Sequence, residues 1–344
     1  MKQLTVSGGD SGSRLDRYLM KYLSGAPSGL LYRQMRKKNI TLNRKKCTGS
    51  ERLREGDTVE IFFSDETIAK FSVVPGQVAR ASAERKNAGE KLSVIYSDSD
   101  LMFVDKPAGI LSQGDDSGEQ SMVGLLLRYV LDSRLMTEEQ MKTSRPSVCS
   151  RLDRNTSGIL LCGLTRRGSA FLSEQLRTRD LKKYYLCLAE GIVERPVHLS
   201  GWLVKDRDGN KASVYRTEEE IPAALRREAR EIRTDYRPAA HGENATLLAV
   251  HLVTGRSHQI RAHLASEGHP LLGDPKYGRT GGRKDAAAGP RRQMLHAWKI
   301  VFPEIPGDFS YLSGKSFEAP LPADFLRAAR QAGIRIPEKI DVLP

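Results

Sequence analysis

A polar loop that runs straight into an apolar strand occupies the middle of this 344-residue chain. It reads Ser150-Arg151-Leu152-Asp153-Arg154-Asn155-Thr156-Ser157-Gly158-Ile159-Leu160-Leu161-Cys162. Residues 159–164 are also the longest nearly unbroken apolar stretch. Six residues suit a buried strand and are far too few to cross a bilayer. The chain is long enough for two domains with a real core. Its 39% hydrophobic and 28% charged content is that of a globular protein. The N-terminus MKQLTVSGGDSG lacks the apolar core of a signal peptide. Cys47, Cys149, Cys162 and Cys187 form no CxxC pair. Neither a disulfide framework nor a zinc ribbon is expected, and reduced thiols in a cytoplasm fit best.

The formal net charge of +13 points to a polyanionic partner. Most of it sits in one place. Between Arg14 and Arg54, twelve Lys and Arg face only Asp16 and Glu51. Leu15, Leu19 and Leu23 fall four apart, the apolar stripe of a helix. Ser28 is expected to cap a second helix that turns Leu31 and Met35 inward and Arg33, Arg36 and Lys37 along another face. Residues 40–42 and the alternating Val59, Ile61 and Phe63 read as strands. A lone basic stripe is ordinarily a solvated helix face. A surplus of ten charges in forty-one residues favours RNA or DNA instead.

This stretch resembles the S4 RNA-binding domain. The resemblance rests on Ser13-Arg14-Leu15-Asp16-Arg17-Tyr18-Leu19, on Arg33-Gln34-Met35-Arg36-Lys37-Lys38-Asn39-Ile40 and on Leu53-Arg54-Glu55-Gly56-Asp57. It implies binding to structured RNA by residues 1–65. Residues 66–91 are polar, contain Pro75-Gly76, and read as a linker with one short strand at 71–74.

From Leu92 onward, strands alternate with turns and helices. A helix is expected over 123–131. Asp153, an acid between two arginines in a polar loop at a strand edge, suits a nucleophile or base for chemistry without a metal. A loop aspartate paired with a neighbouring arginine is the commoner, purely structural arrangement. Two further segments add weight. Residues 182–188 have strand character, with Tyr185, Cys187 and Ala189 on one face and Leu186 and Leu188 on the other. A strand tyrosine is usually core, but a phenol also stacks on a nucleobase. A strand at 246–253 then leads into Thr254-Gly255-Arg256-Ser257-His258-Gln259-Ile260-Arg261-Ala262-His263-Leu264. Ser257 is the expected N-cap and Gly268 the expected end of that helix, with Ile260 and Leu264 facing the core. Arg256 and Arg261 would then offer guanidiniums to an anion near the helix start.

Together these segments resemble the RluA-type pseudouridine synthases. Arg151-Leu152-Asp153 with Thr156-Ser157-Gly158 matches the family signature. Asp105-Lys106-Pro107-Ala108-Gly109, Lys183 with Tyr185, residues 254–263 and Gly273-Asp274-Pro275-Lys276-Tyr277-Gly278 reinforce it. The resemblance implies isomerisation of uridine in RNA to pseudouridine, without redox chemistry, metal or nucleotide cofactor. It implies that Asp153 is the catalytic carboxylate, acting at C1′ or C6 or on the C2′ proton. Tyr185 would stack on the uracil and assist proton loss from C5. Arg261 would pair with Asp153, and Arg151 would help flip the nucleotide. Arg154, Arg256 and His258 are further expected RNA contacts.

The implied fold is α+β: an S4-like module, then a mixed, mostly antiparallel sheet flanked by helices over residues 92–335. A monomer acting on RNA is expected, with large-subunit ribosomal RNA ahead of transfer RNA and no membrane partner. Ser150 and Gln113 stand where many members carry His. Residues 204–244 read as a charged surface insertion, and 279–292 as a flexible Gly/Ala-rich loop. Three rivals are weaker. His258 and His263, five apart, lie about 140° apart around a helix, poor geometry for one metal ion. No GxGxxG follows a strand, which disfavours a dinucleotide enzyme. A non-catalytic RNA-binding or ribosome-assembly protein would not be expected to retain Asp153, Tyr185 and Arg261 together.

Overall fold

The computed structural model of the chain describes residues 1–72, 91–114, 119–206, 211–278 and 289–342. Contacts divide it into two compact units. One comprises residues 1–103, 111–150 and 161–174; the other comprises 104–110, 151–160 and 175–344.

In the first unit, β1 (Lys2–Thr5), β4 (Thr58–Ile61), β2 (Ile40–Leu42) and β3 (Lys45–Lys46) form an antiparallel sheet in the order β1-β4-β2-β3. Helices Leu15–Tyr22 and Ser28–Arg36 accompany it. Leu15, Leu19, Leu23, Leu31, Met35, Ile40, Val59 and Ile61 make one buried cluster, so the expected apolar stripes are the ones that pack. Ser28 does not cap its helix; Pro27 precedes it and Ser28 is its first residue. A proline there fixes the backbone for entry without needing a hydrogen-bonded N–H. Arg33, Arg36 and Lys37 are exposed. Arg14, by contrast, is tied down. It donates to Asp16 at 2.7 Å, and with Tyr32 at 2.8 Å it holds that carboxyl down to about 2.

The stretch expected as a linker begins as a helix, Asp65–Phe71. Ser64 caps it, and its Ile68 and Phe71 pack on the cluster above. Phe71 is therefore helical, not the start of a strand. Residues 73–90, with the rest of that expected strand and linker, lie outside the described residues. The same unit holds β5 (Ser93–Ser97), β7 (Ser147–Val148), helices Met122–Asp132 and Glu138–Thr143, and most of helix Arg166–Thr178. The first of these helices covers the one expected at 123–131.

In the second unit the strands run in the order β11 (Ala212–Tyr215), β10 (Val197–Lys205), β12 (Arg230–His241), β13 (Ala245–Leu252), β9 (Lys182–Glu190), β14 (Leu295–Val301), β8 (Ser157–Gly163). Along this order the pairings are antiparallel except β14 with β8, and β15 (Ser316–Glu318) adds antiparallel to β14. Strands β6 (Leu101–Lys106) and β8 each contribute residues to both units. Tyr185, Cys187, Ala189, Leu248, Val250 and Leu252 pack with Ile260 and Leu264 of helix Gln259–Ser266. Leu186, Leu188, Leu247 and Ala249 point the other way, onto Phe325, Ala328 and Ala329 of helix Ala323–Gln331. Burial on both faces explains why β9 and β13 read as nearly continuous apolar runs.

Residues 204–244 are not a surface insertion. They include β11, the helical turn Ala223–Glu228 and the twelve-residue β12, which pairs with β10 on one side and β13 on the other. Ile232, Thr234 and Tyr236 are buried, whereas the charged residues between them alternate outward. A register shift between Pro238 and Ala240 breaks that alternation.

Candidate active site

Asp153 lies in the loop ahead of β8, and that loop is pinned by backbone-directed bonds. Lys106, fully buried, donates to the carbonyls of Pro107 (2.9 Å), Arg154 (2.8 Å) and Thr156 (2.8 Å). An ammonium has three N–H donors, and here each meets a carbonyl, which offsets its desolvation. Gly109 N–H also donates to Arg154 O, and Thr156 N–H to Asp153 O at 3.0 Å. Arg292 donates to Asn155 O at 3.0 Å and grips Asp324 with Nε and Nη2. This buried arginine is thus a structural anchor, not part of the expected flexible loop; residues 279–288 of that segment lie outside the described residues.

After the loop, Gly158 enters β8 with φ of 112°. A Cβ there would sit 2.2 Å from the carbonyl oxygen of Ala297, its partner on the parallel strand β14. Only glycine permits both the backbone angle and the approach.

Helix Gln259–Ser266 supplies the group facing Asp153. Arg261 donates through Nη1 to Asp153 Oδ2 at 2.8 Å. Its other edge is bidentate to Asp274, Nε to Oδ2 at 2.7 Å and Nη2 to Oδ1 at 2.8 Å. The Asp274 side chain is completely buried and also accepts the backbone N–H groups of Lys276 and Tyr277. Burial opposes the charge on Arg261, but the hydrogen bonds and charge of Asp274, joined by Asp153, outweigh it and raise its pKa. Burial likewise opposes charge on Asp274, and Arg261 with the two N–H groups pulls its pKa down. The result is a guanidinium fixed along two edges by carboxylates.

His258, not Ser257, is the N-cap of this helix, and it takes the left-handed conformation at φ 58°. That turn brings its ring to the aspartate, with Nε2 3.9 Å from Asp153 Oδ1. Burial lowers its pKa, although Asp153 works the other way. Its Nδ1 lies 3.1 Å from the hydroxyl of Tyr277, which accepts the N–H of Ala212 at 2.7 Å. The hydroxyl, with one hydrogen and two lone pairs, ties the His258 ring to Tyr277 in either neutral tautomer. The Tyr277 ring also lies 5.3 Å beneath the Arg261 guanidinium. His263 turns elsewhere, to Thr234 at 3.0 Å.

Tyr185 stands on β9 between Val250 of β13 and Ala297 of β14, almost fully buried. Burial, with the charge of Asp153 adding, raises its phenol well above the ordinary value. At neutral pH it is a hydrogen-bond donor, not a phenolate.

The structure therefore brings Asp153, Arg261, Tyr185 and His258 together. Arg151, Arg154 and Arg256 are exposed, the first two in the Asp153 loop and the third at the turn before the helix. Asp153 pairs with Arg261, across 108 residues of sequence, in place of a neighbouring loop arginine. Arg33, Arg36 and Lys37 belong to the first unit. Sequence reasoning assigned no role to Asp274, Tyr277 or Lys106. The signal for Asp274 was an acid between Gly273 and Pro275, inside a turn with no other use for a charge. All four cysteines are free thiols. Among the described residues no helix is long and apolar enough to cross a membrane.

Residues 100–266 match the family model described as RNA pseudouridylate synthase. The chain is 30% identical over 325 residues to the ribosomal large subunit pseudouridine synthase D of Nitrosomonas europaea, covering 94% of this chain and 85% of that protein. It is 31% identical over 304 residues to the ribosomal large subunit pseudouridine synthase C of Haemophilus influenzae, with 88% and 87% covered. Among solved structures, human RNA pseudouridylate synthase domain containing 4 superposes with a TM-score of 0.55 at 18% identity. That match covers 76% of this chain and 98% of the human one, and establishes a shared fold.

Proposed function

Because the chain belongs to the RNA pseudouridylate synthase family, we propose that it converts particular uridines of large-subunit ribosomal RNA to pseudouridine, with Asp153 as the reacting carboxylate. The observation that carries this reading is the 2.8 Å pair of Asp153 and Arg261, both inside the segment matched by the family model. The names of the relatives support the ribosomal target.

The reaction breaks the C1′–N1 bond, turns the uracil and forms a C1′–C5 bond. One proton leaves C5 and one is bound at N1, so nothing is oxidised or reduced. Arg261 occupies Oδ2 of Asp153 and leaves Oδ1 to meet the sugar or base. Tyr185 stacks on the uracil and relays the C5 proton, giving up its own hydrogen as it takes the new one. Arg151, exposed on the same loop, helps hold the nucleotide out of its helix. Arg154 and Arg256 contact phosphates. Residues 1–65 serve as an S4-like RNA-binding module and residues 92–335 as the catalytic domain. No step calls for a metal or nucleotide cofactor.

The test is pseudouridine mapping in a large-subunit ribosomal RNA transcript and in transfer RNA, each treated with wild-type or Asp153→Asn protein. Modified positions in the ribosomal transcript with wild type alone are expected. Activity in Asp153→Asn removes Asp153 from the chemistry, and modification of transfer RNA alone changes the target. No modification in either RNA favours a non-catalytic RNA-binding or ribosome-assembly role.

A further inference from the structure

The first unit contains a second place suited to RNA, and it involves none of the side chains discussed for the active site. A cavity of about 380 Å³ is lined by Lys21, Arg145 and Arg166, together with Gln113, Ser144 and Ser147. Its three cations come from separate parts of the chain: the end of helix Leu15–Tyr22, the turn after helix Glu138–Thr143, and the first residue of helix Arg166–Thr178.

Lys21, Arg145 and Arg166 are each exposed, so what sets the cavity apart from an ordinary basic surface is its polar lining and its uncommitted donors. Ser144 is 5% exposed, and its hydroxyl has no hydrogen-bond partner among the described residues. A buried hydroxyl without a partner is costly, and in a cavity wall it is satisfied by what enters the cavity. Arg145 has no ion-pair or hydrogen-bond partner among the described residues, although part of its side chain is withdrawn from water, which pushes its pKa down. Arg166 spends one N–H on the carbonyl of Ser11 at 3.2 Å and keeps the rest of its fork. The buried Asp10 acts on Lys21 and Arg166 and offsets one of the three charges. The start of helix Arg166–Thr178 adds the positive end of its dipole.

We propose that this cavity binds a backbone phosphate of the substrate RNA, with Arg145 and Arg166 as its charged partners and the Ser144 hydroxyl as a donor. The proposal rests on the reading of the chain as an RNA-modifying enzyme. A phosphodiester carries a full negative charge on two outward oxygens, each able to accept from more than one donor, which suits a lining of guanidiniums and a hydroxyl. Gln113 then lies within the same cavity wall, where its amide can reach the adjoining sugar or base.

The test is the salt dependence of binding to a large-subunit ribosomal RNA transcript, measured for wild type, Arg145→Gln, Arg166→Gln, the double variant and Ser144→Ala. Arg335→Gln, at an exposed position of the other unit, is the control. Each arginine removed is expected to lower the slope of log affinity against log salt by about one, and the double variant by about two. Ser144→Ala should weaken binding several-fold with no change of slope. The control should match wild type. Slopes equal to wild type in properly melting arginine variants overturn the proposal. Titration with inorganic phosphate and with uridine monophosphate separates the sources. Saturable binding of either, lost in the double variant and accompanied by unchanged RNA slopes, assigns the cavity to a free phosphate ligand and overturns the RNA assignment. Uridine conversion by wild type in the same transcript is scored separately. Its absence defeats the enzyme reading, whereas the slopes decide the cavity.

Discussion

Asp274 and Asp153 share one guanidinium: Asp274 grips Nε and Nη2 of Arg261 from full burial, and Asp153 accepts Nη1. Asp274 therefore acts on Asp153 through Arg261. Without it, Arg261 retains a charge that burial opposes and loses the bonds that set its angle. Asp274→Asn should lower kcat by about 10- to 100-fold, as expected for a misplaced reacting group, with RNA affinity changed only a few-fold. Stopped turnover with separately measured binding checks this. A parallel loss of affinity and thermal stability, with kcat intact in the folded fraction, would reduce Asp274 to a folding role.

Gly158→Ala should be costly despite its small size. The added Cβ would meet the Ala297 carbonyl at 2.2 Å, on backbone that cannot swing away. The left-handed φ adds strain. A destabilisation above about 3 kcal/mol is expected from the clash and the strain together, read from a urea midpoint. A midpoint within experimental scatter of wild type would show that β8 and β14 separate more readily than their pairing indicates.

Asp105 offers a signed pH test. Burial pushes its carboxyl up to about 6, against a small opposing effect of Lys106. The unfolded chain ionises nearer 3.8, so folding loses stability as pH rises from about 4 to about 6 and stays lowered above that. Asp105→Asn should remove the loss. Above pH 7 it should stabilise by on the order of 1–2 kcal/mol after allowance for partial exposure, and the gain should vanish near pH 4. Thermal melts at pH 4.5, 6 and 7.5 decide it; a gain independent of pH would point to packing instead.

The exposed face of Arg33, Arg36 and Lys37 is a second electrostatic prediction. Replacing all three by Gln should reduce the salt slope of RNA binding by about two to three. An unchanged slope would leave the N-terminal basic surplus without a phosphate to neutralise.

Much of the architecture was legible because burial leaves period-two and period-four traces. Tyr185, Cys187 and Ala189 fell on one face and Leu186 and Leu188 on the other, as the two packed layers require. The trace failed at β12. There Glu231, Arg233, Asp235 and Arg237 occupy the outward positions and a bulge at Pro238 interrupts the alternation, so charge density masked a paired strand. Asp153, Tyr185 and Arg261 were readable from their motifs, but the partners that hold them were not. The Lys106 and Asp274 interactions depend on burial and on long-range closure, which no local pattern encodes. His258 was displaced by one position as a cap because a left-handed turn is invisible in a polar run such as Arg256-Ser257-His258.

The length of the loops that close the site has a consequence for how the protein is made. Asp153 meets Arg261 only across 108 residues, and Asn155 meets Arg292 across 137. At roughly 5–20 residues per second, a ribosome needs about 5–20 s after releasing Asp153 to deliver Arg261. During that interval the nascent chain already carries its whole N-terminal basic module but no assembled aspartate–arginine pair. Each molecule thus gains its positive segment first and its aspartate–arginine pair last, and any synthesis halted before Arg292 leaves the basic segment without the completed pair and its Arg292 anchor.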